Sequence, residues 1–164
     1  MENKRWHDVN NLKEEWDKRT ILLAKLIEPN SNVIEFGAGR LILKNHLPKG
    51  CTYTPSDITD RGENTIVCNL NDKILPQFDH SFNTAIFSGV LEYVEDVPRL
   101  INYLSGLQTI IISYATSKLN ERIKSNEWVN SYNDSDILDI FKLNGYKCIQ
   151  TDIWKRQNIY KFVK

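Results

Sequence analysis

The sequence has few of the residues that disulfide and zinc frameworks require. Its three cysteines, Cys51, Cys68 and Cys148, are far apart, and the 164 residues contain no C-x-x-C pair. This spacing excludes a disulfide framework and a zinc site, and no metal is expected. Cys68 and Cys148 lie in apolar, strand-like runs, which favours small core residues in a reducing compartment. We therefore expect a cytoplasmic protein.

The chain also lacks an excess of either charge and any long apolar run. Lys plus Arg number 21 and Asp plus Glu number 21, so the formal net charge is zero. Proteins that neutralise several phosphates usually carry a basic excess, so no nucleic-acid partner is expected. No apolar stretch approaches the ~20 residues of a membrane-spanning helix, and residues 1–6 lack a signal-peptide core. No membrane association is expected, and the length predicts one domain.

The spacing of apolar residues predicts alternating helices and strands. Helices are predicted at 9–27, 41–47, 96–106 and 135–144, and strands at 32–36, 51–56, 65–68, 85–87, 109–112, 146–154 and 158–163. This alternation predicts an α/β sandwich around a mostly parallel sheet that closes with a hairpin. The polar segment 117–133 is long for a connection in a compact domain, which often marks a functional loop.

Ligands of open parallel sheets bind beyond the carboxyl ends of the strands, where the strand order reverses. Asp57 follows the second strand, about twenty residues after the glycine turn Gly37–Ala38–Gly39, where a carboxylate can bind ribose hydroxyls. A helix cap or turn is the alternative role of this aspartate. Glu35 ends a buried strand, and burying an acid costs several kcal/mol unless it is paired. A cationic ligand group, or a bridging water, would provide the partner.

Three sequence motifs together resemble one family. Residues 33–39 (VIEFGAG) resemble motif I of the class I S-adenosylmethionine-dependent methyltransferases, and 53–58 (YTPSDI) resemble the acidic end of their second strand. Residues 82–94 (FNTAIFSGVLEYV) are similar to the motif of their fourth strand. The closing hairpin matches their antiparallel seventh strand. The resemblance covers about residues 30–164 and implies a three-layer α/β sandwich with a seven-stranded, mostly parallel sheet ending in an antiparallel hairpin strand.

The resemblance implies S-adenosylmethionine as cofactor and S-adenosylhomocysteine as product. In the family pattern Glu35 would face the methionine amino group, Asp57 would hold the ribose, and Asn69 would accept a hydrogen bond from the adenine. The implied cofactor-binding residues are Glu35, Phe36, Gly37, Ala38, Gly39, Asp57, Ile58, Asn69, Leu70, Ser88, Gly89 and Val90. Leu41 replaces the third glycine of motif I, and Tyr93 replaces the usual histidine of the fourth-strand motif.

The sequence does not single out one residue as the catalytic base. Glu92 and Tyr93, just past the fourth strand, and Tyr114, just past the fifth, are the candidates, with packing or capping as the alternative role. Trp128 in the long loop, and more weakly Tyr114, are candidates for contact with the acceptor. Trp16, at helical spacing, is predicted to lie in the core.

The resulting expectation is a single methyltransferase domain over residues 1–164, with an N-terminal helical cap (1–30) and a substrate loop (115–133). The expected partner is a small-molecule or glycan-type acceptor, methylated at oxygen, because no motif for planar amino groups follows the fourth strand. A non-catalytic binding or scaffold protein of the same fold is the alternative. A nicotinamide oxidoreductase is disfavoured, because Ile42 stands where its fingerprint requires glycine or alanine.

Overall fold

The computed structural model describes residues 4–62, 64–78, 81–118 and 127–164, and these residues form one sheet flanked by helices. The strands are β1 (Asn32–Phe36), β2 (Thr52–Asp57), β3 (Ile66–Val67), β4 (Thr84–Ser88), β5 (Thr109–Tyr114), β6 (Lys147–Trp154) and β7 (Gln157–Val163). The helices are α1 (Glu15–Ala24), α2 (Val97–Tyr103) and α3 (Asp134–Leu143), with 3-10 turns at Lys4–His7, Val9–Asn11, Leu43–His46 and Leu91–Tyr93.

The sheet has the order β3-β2-β1-β4-β5-β7-β6. All pairs from β3 to β5 are parallel, and β7 runs antiparallel to both of its neighbours. The predicted seven-stranded, mostly parallel sheet is therefore confirmed. From β1 the chain passes to β2 on one side, and β4 lies on the other, so the strand order reverses between β1 and β4. This reversal opens a crevice at the carboxyl ends of these strands.

Alternating side chains divide the core into two clusters, one on each face of the sheet. Ile110 and Ile112 of β5 pack with α2 and α3, whereas Ile111 faces α1. Every residue of β5 from Ile110 to Tyr114 is buried, as the continuously apolar sequence predicts for a strand covered on both faces. The three layers follow, with α1 on one face and α2 and α3 on the other.

The predicted helix 9–27 is shorter than expected. Residues 4–11 form two separate 3-10 turns, and the α-helix begins only at Glu15. Asp8 accepts a hydrogen bond from the backbone N–H of Asn10 at 2.9 Å, which closes a local turn instead of extending a helix. Val9, the first residue of the predicted apolar stripe, is 46% exposed. The apolar periodicity therefore corresponds to a helix only within α1.

The predicted helix at 41–47 is wrong. Gly37, Gly39 and Leu41 all have positive φ angles, of 68°, 51° and 59°, and the N–H of Leu41 donates to the carbonyl of Ala38 at 2.8 Å. A chain in this left-handed conformation cannot start a right-handed helix. Only the 3-10 turn Leu43–His46 forms before β2.

The other predicted helices and the hairpin are confirmed. Asp96 accepts a hydrogen bond from the N–H of Arg99 at 2.9 Å and caps α2, and Asn133 with Asp136 forms a capping box on α3. β6 and β7 form the antiparallel hairpin, with Lys155 in the turn at a φ of 51°. Within the described ranges, no helix is both long enough and apolar enough to span a bilayer.

Candidate active site

A cavity of about 760 Å³ opens at the carboxyl ends of β1, β2 and β4. This volume falls in the range of about 300–1,000 Å³ that small-molecule sites occupy. All twelve residues that the sequence assigns to the cofactor line this one cavity, as do Glu92, Tyr93 and Trp128. Tyr114 does not line it. The structure thus brings the three motifs together in space.

The glycine turn forms the floor of the cavity at the end of β1. Phe36 and Phe87 are register partners on β1 and β4, so the turn at Gly37 lies beside the segment that follows β4. A Cβ on Gly37 would collide with Cγ2 of Val90, in addition to the cost of its φ of 68°. Only glycine fits there, and backbone rather than side chains faces the cavity.

Glu35 is a buried carboxyl group with no cationic partner in the described part of the chain. It is 2% exposed, accepts a hydrogen bond from the hydroxyl of Tyr53 at 2.6 Å, and takes part in none of the ion pairs there. Burial, reinforced by the charge of Asp57, raises its pKa to about 8. A ligand cation in the cavity would stabilise its charged form.

Asp57 ends β2 and holds the glycine turn in place. One carboxylate oxygen accepts from the N–H of Gly39 at 2.8 Å, and the other accepts from the N–H of Thr59 at 3.3 Å. Arg61 donates to that second oxygen at 3.1 Å, and both side chains of this ion pair are buried. Arg61 also donates to the carbonyl of Trp6, and its Nε has no partner among the described residues. Arg61 therefore links Asp57 to the N-terminal segment.

Asn69 follows β3 and is engaged in a local turn. Its Oδ1 accepts from the N–H of Asn71 and its Nδ2 donates to Asp72, both at 3.1 Å. Asn71 in turn donates to the carbonyl of Tyr93 at 3.0 Å and accepts from the N–H of Glu95 at 2.8 Å. This network fixes the loop after β3 against the segment after β4, and the Oδ1 of Asn69 keeps one lone pair.

Glu92 lies in the 3-10 turn after β4 and is 1% exposed. Its Oε1 accepts from the N–H of Ala115 at 2.8 Å, whereas its Oε2 is buried without a hydrogen-bond partner in the described part. Burial raises the pKa of this carboxyl group, and the charge of Arg19 opposes the shift. One oxygen is thus fixed by the end of β5, and the other is an unsatisfied buried acceptor in a residue that lines the cavity.

Arg19 of α1 was not predicted as a site residue. It is 7% exposed, and its Nε and Nη2 donate to the side chain and carbonyl of Ser88 at 3.0 and 2.8 Å. The sequence holds a signal for it, because Arg19 occupies the inward face of the apolar stripe between Trp16 and Leu23. Gln157, which receives the third hydrogen bond of Arg19, lies at the start of β7 and has no such signal.

Aromatic side chains form the wall of the cavity opposite the sheet. The ring of Trp6 lies 5.0 Å from Tyr93 in an edge-on arrangement and 6.2 Å from Trp16, and Trp128 also lines the space. Arg5 and Glu127 form an ion pair of 2.5 Å that joins the N-terminal segment to the loop. Trp16 belongs to neither core cluster, so its predicted place in the core is wrong.

Tyr114 has a packing role in this structure. It is fully buried, its hydroxyl donates to Asn130 at 2.5 Å, and the N–H of Tyr132 donates to that hydroxyl at 2.9 Å. Burial raises its pKa above the ordinary value, so the phenol stays neutral. The hydroxyl therefore holds residues 130–132 against β5 instead of facing the cavity.

The fold is a Rossmann-like α/β sandwich, and its cavity lies at the carboxyl edge of the sheet, where ligands of open parallel sheets bind. A family model described as a methyltransferase domain matches residues 6–151. The comparison with curated proteins found no match.

Solved structures of methyltransferases share this fold. The 1,6-didemethyltoxoflavin-N1-methyltransferase from Burkholderia thailandensis, solved with 1,6-didemethyltoxoflavin and S-adenosylhomocysteine, is 12% identical, with a TM-score of 0.70 over 96% of this chain and 81% of the other. A putative O-methyltransferase from Nostoc punctiforme is 13% identical, with a TM-score of 0.75 over 99% of this chain and 61% of the other. Magnesium protoporphyrin IX methyltransferase from Synechocystis, with bound S-adenosylhomocysteine, is 19% identical, with a TM-score of 0.65 over 92% and 83%.

The chain belongs to the S-adenosylmethionine-dependent methyltransferases. Its cofactor is S-adenosylmethionine. The cavity fits this molecule, because it offers a bare backbone turn at Gly37–Gly39 and a buried carboxyl group, Glu35, without a cationic partner among the described residues.

Proposed function

We propose that this protein methylates a small-molecule acceptor at an ionisable hydroxyl group and that Glu92 removes its proton. The observation that carries the proposal is that Glu92 lines the cofactor cavity and that its buried Oε2 has no hydrogen-bond partner in the described part of the chain. A buried polar atom without a partner costs free energy, which an acceptor hydroxyl would recover by donating a hydrogen bond. The other oxygen of Glu92 is fixed by the N–H of Ala115.

Different residues of the cavity would bind different parts of the cofactor. Glu35 would bind the ammonium group, since it is a buried carboxyl group with no cation beside it. Asp57 would bind the ribose hydroxyls, in competition with Arg61 for one of its oxygens. Ile58 and Leu70 line the same cavity and offer an apolar surface to the adenine ring.

When bound, S-adenosylmethionine supplies the methyl group: a lone pair of the acceptor oxygen forms the new bond to carbon, and the electron pair of the S–CH₃ bond stays on sulfur. Glu92 takes the hydroxyl proton through Oε2. Its pKa is raised by burial, which brings the carboxylate closer to the working pH of a general base. The aromatic wall would orient the acceptor, and positioning of this kind contributes about 7–11 kcal/mol to such reactions.

The size and walls of the cavity support a small acceptor. The cavity of about 760 Å³ must hold both the cofactor and the acceptor, which favours a small acceptor molecule. Trp6, Trp16, Tyr93 and Trp128 offer flat apolar faces that suit a planar ring, and the face of a sugar ring could also pack on them. We assign the predicted N-terminal cap (1–30) to the cover of the site, on its described residues 4–30, and the predicted substrate loop (115–133) to the acceptor side, on its described residues 115–118 and 127–133. Residues 119–126 of that loop lie outside the described part of the chain.

The test compares wild-type protein with Glu92→Gln in a methyl-incorporation assay with labelled S-adenosylmethionine and a panel of phenolic, heteroaromatic and sugar acceptors. Glutamine keeps an oxygen for the N–H of Ala115 but cannot accept the proton. We expect kcat to fall by about 10²–10⁴ while S-adenosylhomocysteine binds as before. Full activity in Glu92→Gln would exclude the base, and the absence of methylation of any acceptor would favour the non-catalytic alternative.

A further inference from the structure

The guanidinium group of Arg19 lies at the end of β4, against Ser88 and Gly89. An alanine Cβ at Gly89 would lie 2.5 Å from the Cζ of Arg19, so this glycine makes room for the arginine. No ion pair of Arg19 exists in the described part of the chain, although the group is 7% exposed. A buried cation of this kind needs hydrogen-bond acceptors.

Three of the five N–H groups of Arg19 have partners in the described residues. Nε and Nη2 donate to Ser88, and Nη1 donates to the Oε1 of Gln157 at 3.0 Å. One N–H on each Nη remains, and Arg19 lines the cavity. The rings of Trp16 and Trp154 lie 5.9 and 5.5 Å from Cζ and hold the guanidinium plane in place.

The side-chain amide of Gln157 bridges Arg19 and Glu92. Its oxygen accepts from Arg19, and its Nε2 lies 3.5 Å from the Oε1 of Glu92. Arg19 and Glu92 are therefore separated by the width of one amide group. The amide meets Arg19 with its acceptor oxygen and Glu92 with its donor nitrogen. Both side chains line the cavity, Arg19 with one further N–H on each Nη and Glu92 with a buried Oε2 that has no partner among the described residues, so the pair combines the same donor and acceptor.

We propose that Arg19 and Glu92 recognise an acceptor that carries a carbonyl oxygen next to its reacting hydroxyl, as in a hydroxy-lactam or hydroxy-pyridone. The carbonyl oxygen accepts from Arg19, and the hydroxyl donates to the Oε2 of Glu92. This inference rests on the proposed function and narrows its substrate class. Arg19 is a specificity residue in this scheme, because it binds the group beside the one that reacts.

The first test measures binding, so it is independent of turnover. Wild-type protein saturated with S-adenosylhomocysteine is titrated at pH 8 with 3-hydroxy-2-pyridone and with 3-hydroxypyridine, which lacks the carbonyl group, by ligand-observed NMR. We expect the pyridone to bind at least about tenfold more tightly, because a site built for a hydrogen-bonding group rejects the analogue without it. Equal binding of the two probes, or no binding of either while S-adenosylhomocysteine binds, would overturn the inference.

Two variants assign the preference to its residues. Arg19→Met keeps the volume and removes the donors, and we expect it to abolish the preference for the pyridone. Lys18→Met changes an exposed neighbour on the same helix and is the control. Survival of the preference in Arg19→Met would contradict the role of Arg19.

A second variant keeps the inference testable if Arg19→Met fails to fold. In Glu92→Gln the oxygen stays on the N–H of Ala115, so an NH₂ group replaces the free Oε2. We expect the wild-type protein to bind 3-hydroxy-2-pyridone more tightly than 3-methoxy-2-pyridone. Glu92→Gln should lose this preference and bind the methoxy compound at least as tightly as the hydroxy compound. An unchanged order would contradict the inference, even if methylation of other acceptors upheld the proposed function.

Discussion

The affinity of this protein for its cofactor should rise with pH, because Glu35 must lose a proton to bind an ammonium group. Its carboxyl group is 2% exposed, and burial raises its pKa from 4.5 to about 8. The neutral form therefore dominates at pH 7 without ligand. An ammonium group beside it would favour the charged form and lower the pKa again.

The size of the effect follows from the pKa of about 8. If only the ionised carboxylate binds the ammonium group, the apparent Kd exceeds the Kd of the fully ionised protein by a factor of about 100 at pH 6 and about 4 at pH 7.5. The apparent Kd should thus fall about 25-fold over this range, which corresponds to about 1.9 kcal/mol. The α-amino group stays mostly protonated up to pH 7.5, so the change belongs to the protein.

The same shift has a defined sign for folding stability. Because the pKa is higher in the folded state than in the unfolded state, Glu35 contributes stability that is fully present below about pH 4.5 and is lost as the pH rises through about 8. Bound cofactor should reverse this loss. The stabilisation of the fold by ligand should therefore increase from pH 6 to pH 7.5.

Isothermal titration calorimetry with S-adenosylhomocysteine at pH 7, in two buffers with different ionisation enthalpies, measures the protons released. We expect about 0.9 proton per ligand for the wild-type protein and none from this site in Glu35→Gln, which should also bind more weakly at pH 7.5. Asp139→Asn, a change at an exposed position of α3 outside the cavity, is the control. A pH-independent Kd, or the same slope in Glu35→Gln, would refute the reasoning.

Two further predictions concern the ribose side of the cavity. Asp57→Ala should weaken S-adenosylhomocysteine binding by roughly 1.5–3 kcal/mol, because charge-assisted hydrogen bonds are lost, and calorimetry beside Asp57→Asn, which can still accept from the N–H of Gly39, separates charge from turn geometry. Unchanged affinity in Asp57→Ala would remove this residue from the site. Arg61→Ala should raise both the association and the dissociation rate constants of the ligand, because Arg61 donates to Asp57 and to the carbonyl of Trp6 at the edge of the cavity. Each 1.4 kcal/mol by which the loss of these hydrogen bonds lowers the barrier should raise the rates about tenfold. Stopped-flow tryptophan fluorescence measures these rates, and Arg156→Ala, at an exposed position outside the cavity, is the control. Equal rates in Arg61→Ala and wild type would contradict this role of Arg61.

The sheet and the residues at its carboxyl edge could be predicted from sequence because their signals are local. The apolar, β-branched run of β5 and the glycine turn after β1 depend on neighbours in the chain, and both form as expected. The N-terminal helix was predicted too long and the helix after the glycine turn was predicted in error. In both places an apolar period was present, but backbone conformation at Asp8 and Leu41 decided the outcome.

The polar contacts between distant elements could not be predicted in the same way. Arg19 and Ser88 are 69 positions apart, and Arg19 and Gln157 are 138 positions apart. No spacing rule joins α1, the end of β4 and the start of β7, because their proximity depends on α1 packing across the sheet and on β7 pairing with β5. The ion pair of Arg61 with Asp57 is local, at four residues, yet Arg61 also donates to the carbonyl of Trp6, 55 positions away.

The sequence by itself determined the class of the protein, because three local motifs, at 33–39, 53–58 and 82–94, resemble those of the class I S-adenosylmethionine-dependent methyltransferases. The tertiary structure decided which polar groups meet in the cavity. Arg19, Gln157 and Glu92 come from three separate elements, and only packing of the helix and the hairpin against the sheet places them in one cavity. The physical reason is that strand and turn conformation is encoded over a few residues, whereas the partners of a buried charge are set by the whole fold.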